Sequence, residues 1–510
     1  MRITATGHAG LFIETARGSV LCDPWRTPAY FASWFVFPDN SKIDFEALKP
    51  DFLYISHLHQ DHFDPRLLAQ SVPKSATVLL PEFPTDELRS ALSELGFRSF
   101  VETRNGQPVD LDGLRVMITA MVSPSDGPIG DSALSLDDGE TRVLNQNDAR
   151  PPDPAHLNAF GAYDGHFLQF SGAIWWPVVY ELAEANKSEF ARRKRLNGME
   201  RARRFVDAVK ASYVFPTAGP PCFLDDALFE HNDIENSPDN IFPDQNVFLA
   251  YLEQGGLDNG RLLIPGSTAT LDRGGCEIDH SLPESEVNSL FADKKTYLQA
   301  YAARQAPLLD REQNAWPRYD GDLLLALKSR WEPLLGLADH ICSGIGAPVL
   351  LDLGEEKILI DFAARQVRPF AGEDCRYRFT IERRLVEDLV ATEEIDWVNS
   401  LFLSMRFRAK RRGPYNEYVF AFFKCLSPER MSYAEGFYAE QSSGDELVQL
   451  GDYMVQRRCP HLKADLSRFG TVCDGLLECS MHGWRFELAS GRCLTADGHD
   501  IVAVPLKSSS

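Results

Sequence analysis

Phe52-Leu53-Tyr54-Ile55-Ser56-His57-Leu58-His59-Gln60-Asp61-His62 places four potential metal ligands within six residues, directly behind a short apolar run. The run is aromatic and β-branched enough to predict a buried strand. His57 and His59 are two residues apart, so in extended backbone they project to the same side and can grip one ion. Asp61 and His62 fall in the turn that follows and can offer an oxygen and a nitrogen to a second. Surface polarity alone does not concentrate imidazoles in this way.

The pattern H-x-H-x-D-H after a strand resembles the metallo-β-lactamase fold. Gly7-His8-Ala9-Gly10 and Val20-Leu21-Cys22-Asp23-Pro24-Trp25 are similar to the opening strands of the branch that contains ascorbate-6-phosphate lactonase. The resemblance implies an αββα sandwich over residues 1–265, with metal held by His57, His59, Asp61 and His62. It also implies a bridging carboxylate at the end of a later strand, which falls on Asp148 in Arg142-Val143-Leu144-Asn145-Gln146-Asn147-Asp148. Two family histidines are missing. None occurs between residues 118 and 135, where only Ser123, Asp126 and Asp131 offer substitutes. After Ser212-Tyr213-Val214-Phe215-Pro216, where the last histidine belongs, the chain has Ala218-Gly219-Pro220. His166 and His231 are unassigned, and each is expected to be a satisfied or exposed histidine. The site is therefore either mononuclear or richer in carboxylates than the hydrolases.

Near the other end, Cys459-Pro460-His461 is followed after seventeen residues by Cys479-Ser480-Met481-His482-Gly483-Trp484. Two Cys-plus-His pairs at this spacing supply the two thiolates and two imidazoles of a Rieske [2Fe–2S] centre, thiolates on one iron and imidazoles on the other. The alternative is a zinc site of Cys and His ligands, but zinc pairs rarely combine C-x-H with C-x-x-H-G-W. The surrounding sequence resembles the Rieske domains of ring-hydroxylating and other oxygenases. The extra cysteine pair of the respiratory type is absent, with Ala464 and Met481 in the cluster loops. Cys473 and Cys493, the spare cysteines nearby, read as buried thiols.

Zinc is redox-silent and activates water in metallohydrolases. An electron-transfer cluster adds nothing to simple hydrolysis. Imidazole and carboxylate donors with open positions suit iron, one ion or two, which accepts electrons and activates dioxygen. The two motifs together predict an iron oxygenase that hydroxylates a small polar metabolite, its Rieske cluster relaying electrons to non-haem iron in the lactamase-like domain. The combination resembles the CMP-N-acetylneuraminate hydroxylase family, on Leu144-Asn145-Gln146-Asn147-Asp148, Gln169-Phe170-Ser171-Gly172-Ala173, Trp176-Pro177 and Ala218-Gly219-Pro220-Pro221. That family carries its Rieske domain first; here it comes last, over 431–506. The resemblance thus implies architecture and electron flow but no substrate. A zinc hydrolase (lactonase or phosphodiesterase) with a redox-sensing Rieske domain is the rival class, and an electron-transfer protein with a degenerate lactamase domain is a third. Because no G-x-G-x-x-G fingerprint is present, an external reductase, ferredoxin or cytochrome is expected to reload the cluster.

Between these domains, residues 266–430 read as α+β. Residues 347–353 and 357–362 are predicted strands joined by a Gly-Glu-Glu-Lys turn, and 382–395 a helix, a pattern that loosely resembles sterol-carrier-like modules. A helix over 187–210 carries Arg192, Arg193, Lys194, Arg195, Arg201, Arg203 and Arg204, either an anion-binding face or a solvated one. A second basic cluster, Arg406 to Arg412, poses the same choice.

At 510 residues, 44% hydrophobic and 25% charged, the chain has the size and composition of a globular protein of two or three domains. A formal charge of −22 disfavours nucleic acid as a partner. The first thirty residues include Arg2, His8, Glu14, Arg17 and Asp23 and show no apolar core of a signal peptide; no run reaches membrane-spanning length. Ten cysteines spread this widely do not form a disulfide framework, which points to a reducing cytoplasm.

Overall fold

The computed structural model of the protein describes residues 1–172, 174–233, 237–272, 275–440, 446–460, 466–480, 483–496 and 498–506. Two compact units emerge. The first comprises residues 1–122, 126–173 and 191–313; the second comprises 123–125, 174–190 and 314–510.

The first unit is built on two sheets. In the eight-stranded one, Gly18–Cys22 pairs with Phe52–Tyr54, which pairs in turn with Thr77–Leu80, all parallel. A strand flanked on both edges by parallel neighbours is covered on both faces, so Phe52-Leu53-Tyr54 can be continuously apolar rather than alternating. In the six-stranded sheet, Arg142–Asn147, Gly165–Gln169 and Tyr213–Thr217 are likewise parallel. Ile3, Leu11, Ile13 and Val20 of the first sheet meet Val116, Ile118, Leu134, Val143 and Phe215 of the second in one buried cluster. Phe167 and Phe215 stack there with centroids 4.4 Å apart.

Helices cover both outer faces. Leu68 of Pro65–Ser71 and Leu88 and Leu92 of Glu87–Glu94 pack on Leu21, Leu53 and Ile55. Leu157 and Val209 close over Met117 and Leu144 on the other side. The expected αββα sandwich is thus present. Its body runs past residue 265, because Thr268–Asp272 pairs with Arg2–Gly7 at the sheet edge and Gly275–Asp279 extends it.

The second unit contains a five-stranded sheet in the order Gln366–Pro369, Lys357–Asp361, Val349–Asp352, Tyr377–Ile381, Phe407–Arg411. Val349–Asp352 and Lys357–Asp361 form the hairpin expected from sequence, and the helix of 382–395 is realised as Arg383–Ala391. Trp331, Trp397, Phe379, Phe402 and Phe423 fill the space between sheet and helices with edge-to-face and stacked ring pairs. The C-terminal part is β-rich, with two small sheets: Leu447–Leu450, Tyr453–Gln456 and Ala503–Pro505, then Gly470–Cys473, Leu476–Cys479 and Trp484–Glu487. Among the described residues no helix is long and apolar enough to cross a membrane.

One carboxylate locks the segment after the metal motif. Asp64 caps Pro65–Ser71 by accepting the Leu67 N–H at 3.0 Å, with proline preset at the first helical position. Its other oxygen accepts the Arg26 and Thr27 N–H groups at 3.0 and 2.7 Å. Asp64→Ala leaves one buried and two half-buried donors unmet, and a loss of about 2 kcal/mol is expected in urea unfolding at unchanged m.

Candidate metal centre

The motif emerges where parallel strands of the first sheet end, and the chain turns at once. His62 and Phe63 N–H groups both reach back to the His59 carbonyl, at 3.0 and 2.7 Å. This tight turn brings Asp61 and His62 to the same cavity as His57 and His59. His57, Asp61 and His62 are buried, and His59 is partly exposed.

The rings converge nose first. His57 Nε2 lies 2.6 Å from His59 Nδ1 and 3.8 Å from Asp148 Oδ2. His62 Nε2 lies 3.6 Å from both Asp61 Oδ2 and Asp148 Oδ1. Asp148 therefore turns one oxygen to each histidine, the arrangement a bridging carboxylate needs. Two donors that each approach one ion at about 2.0–2.2 Å stand roughly 3–4 Å apart, so the 3.6–3.8 Å gaps around Asp148 and His62 fit a metal, whereas the His57–His59 contact has hydrogen-bond length. His62 Nε2 and Asp148 Oδ1 are buried without any hydrogen-bond partner. Buried donors and acceptors that face one another without a hydrogen-bond partner form a donor set that a divalent cation satisfies.

His8 enters from the turn between the first two strands and was not singled out as a ligand by spacing. Its Nε2 is 2.8 Å from Asp61 Oδ2. His8, Asp61 and His62 form one potential ligand triad, and His57, His62 and Asp148 another, each with its donor atoms within 4.8 Å of one another. The backbone supports this placement: Ala218 N–H donates to the His8 carbonyl at 3.1 Å. Thus the position where the fold family's last histidine belongs secures a different histidine instead.

Behind the ligands stand carboxylates that fix ring orientation, the usual device at metal sites. Asp23, fully buried, accepts the Ser56 N–H and hydroxyl at 2.7 and 2.8 Å and faces His62 Nδ1 at 3.1 Å. Asp131 Oδ1 faces His57 Nδ1 at 3.3 Å. Sequence reading offered Asp131 as a substitute ligand; the structure places it on the nitrogen that points away from His59 and Asp148. Of the other two candidates, Ser123 pairs with the Ser125 hydroxyl at 2.8 Å, and Asp126 shapes the 126–130 turn by accepting the Gly130 N–H. His166 and His231 stay away from both triads. His166 bonds Gln146 Oε1 at 2.8 Å, and burial pushes it down to about 3, a neutral imidazole. His231 lies 3.3 Å from Asn240 Oδ1.

The centre is strongly electronegative. Burial disfavours charge on His62, yet Asp148, Asp61 and Asp23 push it up to about 10. Burial likewise opposes the Asp61 carboxylate, but His62, His8 and His59 hold it well below the usual range. Such a site seeks positive charge, which a proton supplies only partially and a divalent ion fully.

In the C-terminal part, Cys459 and Cys479 are each 1% exposed. Cys479 pairs with Trp484 across a hairpin, and the Ser480 N–H is held by the Phe469 carbonyl at 2.8 Å. His461 and His482, together with Ala464, Met481 and residues 507–510, lie outside the described residues. All ten cysteines are free. Cys493 is buried as expected; Cys473 is exposed, because Gly470–Cys473 lies at the edge of its small sheet.

Family comparisons agree with this layout. A Beta-lactamase superfamily domain matches residues 2–146, an Rv3818-like, SCP2-like domain matches 323–440, and a Rieske [2Fe-2S] domain matches 444–505. A Mycobacterium tuberculosis (strain H37Rv) protein with the provisional name Rieske 2Fe-2S iron-sulfur protein Rv3818 is 49% identical over 98% of this chain and 99% of its own. A Mycolicibacterium smegmatis protein with the same provisional name is 48% identical over the same shares. Among solved structures, CmlA, a diiron β-hydroxylase from Streptomyces venezuelae, is similar at 19% identity and a TM-score of 0.36, over 53% of this chain and 54% of that one.

If Asp23 orients His62, Asp23→Asn keeps the shape and weakens metal affinity about tenfold to a hundredfold in chelator competition. His8→Ala is expected to remove about one bound ion per chain, counted by elemental analysis, with the Rieske absorption bands intact.

Proposed function

The chain belongs to the family of mycobacterial Rieske 2Fe-2S iron-sulfur proteins that it matches along its whole length, and we propose that it is an oxygenase, a Rieske-coupled non-haem iron hydroxylase of a small polar metabolite. One observation carries this reading: a Rieske domain shares the polypeptide with a centre of imidazole and carboxylate donors, His8, Asp61 and His62 beside His57, His62 and Asp148. Imidazole and carboxylate donors with room for further ligands suit iron, and an electron-transfer domain has no task beside redox-silent zinc.

In this proposal residues 1–265 are the catalytic domain, 266–430 the linking or substrate region, and 431–506 the electron relay. His57, His59, Asp61, His62 and Asp148 hold one or two irons, with His8 completing the set near Asp61. Iron bound there supplies one-electron chemistry and activation of dioxygen. Asp23 and Asp131 keep the imidazole tautomers fixed, so that Nε2 of His62 and His57 stays presented. Asp61 is held from its other side by the Tyr30 hydroxyl, which stops the carboxylate from swinging. Cys459, His461, Cys479 and His482 hold the cluster. An external reductase, ferredoxin or cytochrome in the cytoplasm reloads it.

The intact H-x-H-x-D-H motif favours a second reading, a zinc lactonase or phosphodiesterase whose Rieske domain senses redox state.

Iron and zinc counted per chain in protein purified without oxygen separate the two. The cluster accounts for about two irons. The oxygenase reading expects roughly three or four irons with little zinc, and Cys459→Ser is expected to remove about two of them and leave the rest. About two irons with one or two zincs would sink it in favour of the hydrolase.

A further inference from the structure

The basic cluster Arg406 to Arg412 falls on Phe407–Arg411, the last strand of the five-stranded sheet, where the pleat sorts its charges. Phe407 and Ala409 are buried; Arg408 and Lys410 alternate with them and are exposed. On the neighbouring strand Arg378 is exposed between buried Tyr377 and Phe379, directly opposite Lys410, while Thr380 lies opposite Arg408. Like charges directly opposite one another across a strand pair cost stability. Among the described residues neither Arg408 nor Lys410 has a carboxylate within ion-pairing distance. Arg378 shares its partner Asp352 with Lys357.

Charges on an edge strand often serve only to keep other strands away. Here that role is already filled by backbone. The Ala409 N–H donates to the Val179 carbonyl at 2.9 Å, and the Glu181 N–H donates to the Ala409 carbonyl at 2.8 Å. Glu181 is itself exposed and makes no ion pair among the described residues. The basic row continues to Arg412, whose pair with Asp374 is 67% and 79% exposed and therefore weak. Three residues further on, at most about 11 Å of extended chain, Tyr415 donates its N–H to the Thr495 carbonyl at 3.1 Å. Its ring meets Trp484 edge-on with centroids 6.4 Å apart, and Trp484 lies opposite Cys479 in the cluster hairpin.

In a chain of net charge −22 this row reverses the sign locally, and it leads to the cluster domain. Salt screens charges beyond about 8 Å, so a docked partner feels the row more than the distant surface. An acidic partner is repelled elsewhere and admitted here, which orients it.

We propose that Arg378, Arg408, Lys410 and Arg412 form the docking surface for an acidic electron-carrier protein. The carrier gives up one electron, the cluster gains it, and no atoms are exchanged. The proposal rests on the reading of the Rieske domain as an electron relay.

Stopped-flow reduction of the oxidised cluster in the full chain, followed at its visible bands, tests this with two reductants. One is a reduced acidic plant-type ferredoxin; the other is photoreduced deazariboflavin, small and uncharged. The ferredoxin rate constant is expected to fall at least tenfold from low to high salt. Arg408→Glu with Lys410→Glu should lower it at least tenfold at low salt, Arg408→Gln with Lys410→Gln less so, and Lys410→Arg should keep it within about twofold. Deazariboflavin rates should be equal in all of them, which reports an intact cluster. Lys328→Glu removes the same kind of charge beside the opposite edge strand, where Glu332 accepts the Val367 N–H, and should change the ferredoxin rate by no more than about twofold. Ferredoxin rates that rise with salt, that ignore the reversed pair, or that Lys328→Glu lowers as much would overturn the surface. Rates that ignore the reversed pair while it abolishes binding to phosphatidylserine vesicles would assign the row to a membrane instead. Zinc in the Asp148 centre would end the oxygenase reading and leave the surface standing; iron there with ferredoxin rates that ignore the reversed pair would do the reverse.

Discussion

The candidate metal centre depends on one buried carboxylate. Asp23 sits fully enclosed at the end of its strand, its own N–H held by the Tyr54 carbonyl at 3.0 Å. It gathers the Ser56 N–H, the Ser56 hydroxyl and the His62 ring into one network. A buried charge is tolerated only when its lone pairs are met, and here each partner belongs to the ligand-bearing segment. The same bonds that neutralise the burial penalty therefore set where His62 points. Its backbone adopts φ +40°, a conformation that aspartate tolerates better than most residues.

Around that anchor the candidate centre gathers imidazoles and carboxylates, with His8 added from the opening turn. His8 comes from a turn at φ +55°, packs edge-on to Trp25 at 5.1 Å, and reaches Asp61 from the side opposite Tyr30.

Much of this was legible in the chain. H-x-H-x-D-H and Asp148 are local patterns whose spacing carries geometry, and the Cys-His pairs near the C-terminus do the same for the cluster domain. His8 was not legible as a ligand, because a lone histidine between glycines has no spacing to read and its partner Asp61 lies 53 residues away. Asp131 was legible as a nearby carboxylate but not as a buttress, since which ring nitrogen it faces depends on the 126–130 turn. The helix 187–210 showed its charges but not their faces: only the fold reveals that Arg201 is buried and Lys194 partly so. Cys473 was expected to be buried and is exposed, because its short strand ends a sheet whose other face the sequence does not reveal.

His8 also ties the centre to the order in which the chain is made. The strand Arg2–Gly7 that delivers it lies between Gly10–Thr15 and Thr268–Asp272, with Arg2 opposite Thr270. The His8 carbonyl is secured by Ala218. A ribosome-bound chain that has emerged only through Asp148 already owns the H-x-H-x-D-H ligands, yet it lacks the contacts that seat the eighth residue. Pairings this distant in sequence form late, after the loop-closure entropy has been met. The candidate ligand set is complete only when the sandwich is, because His8 is seated by pairings that close last. In the proposed reading, metal capture is thereby coupled to the completion of folding.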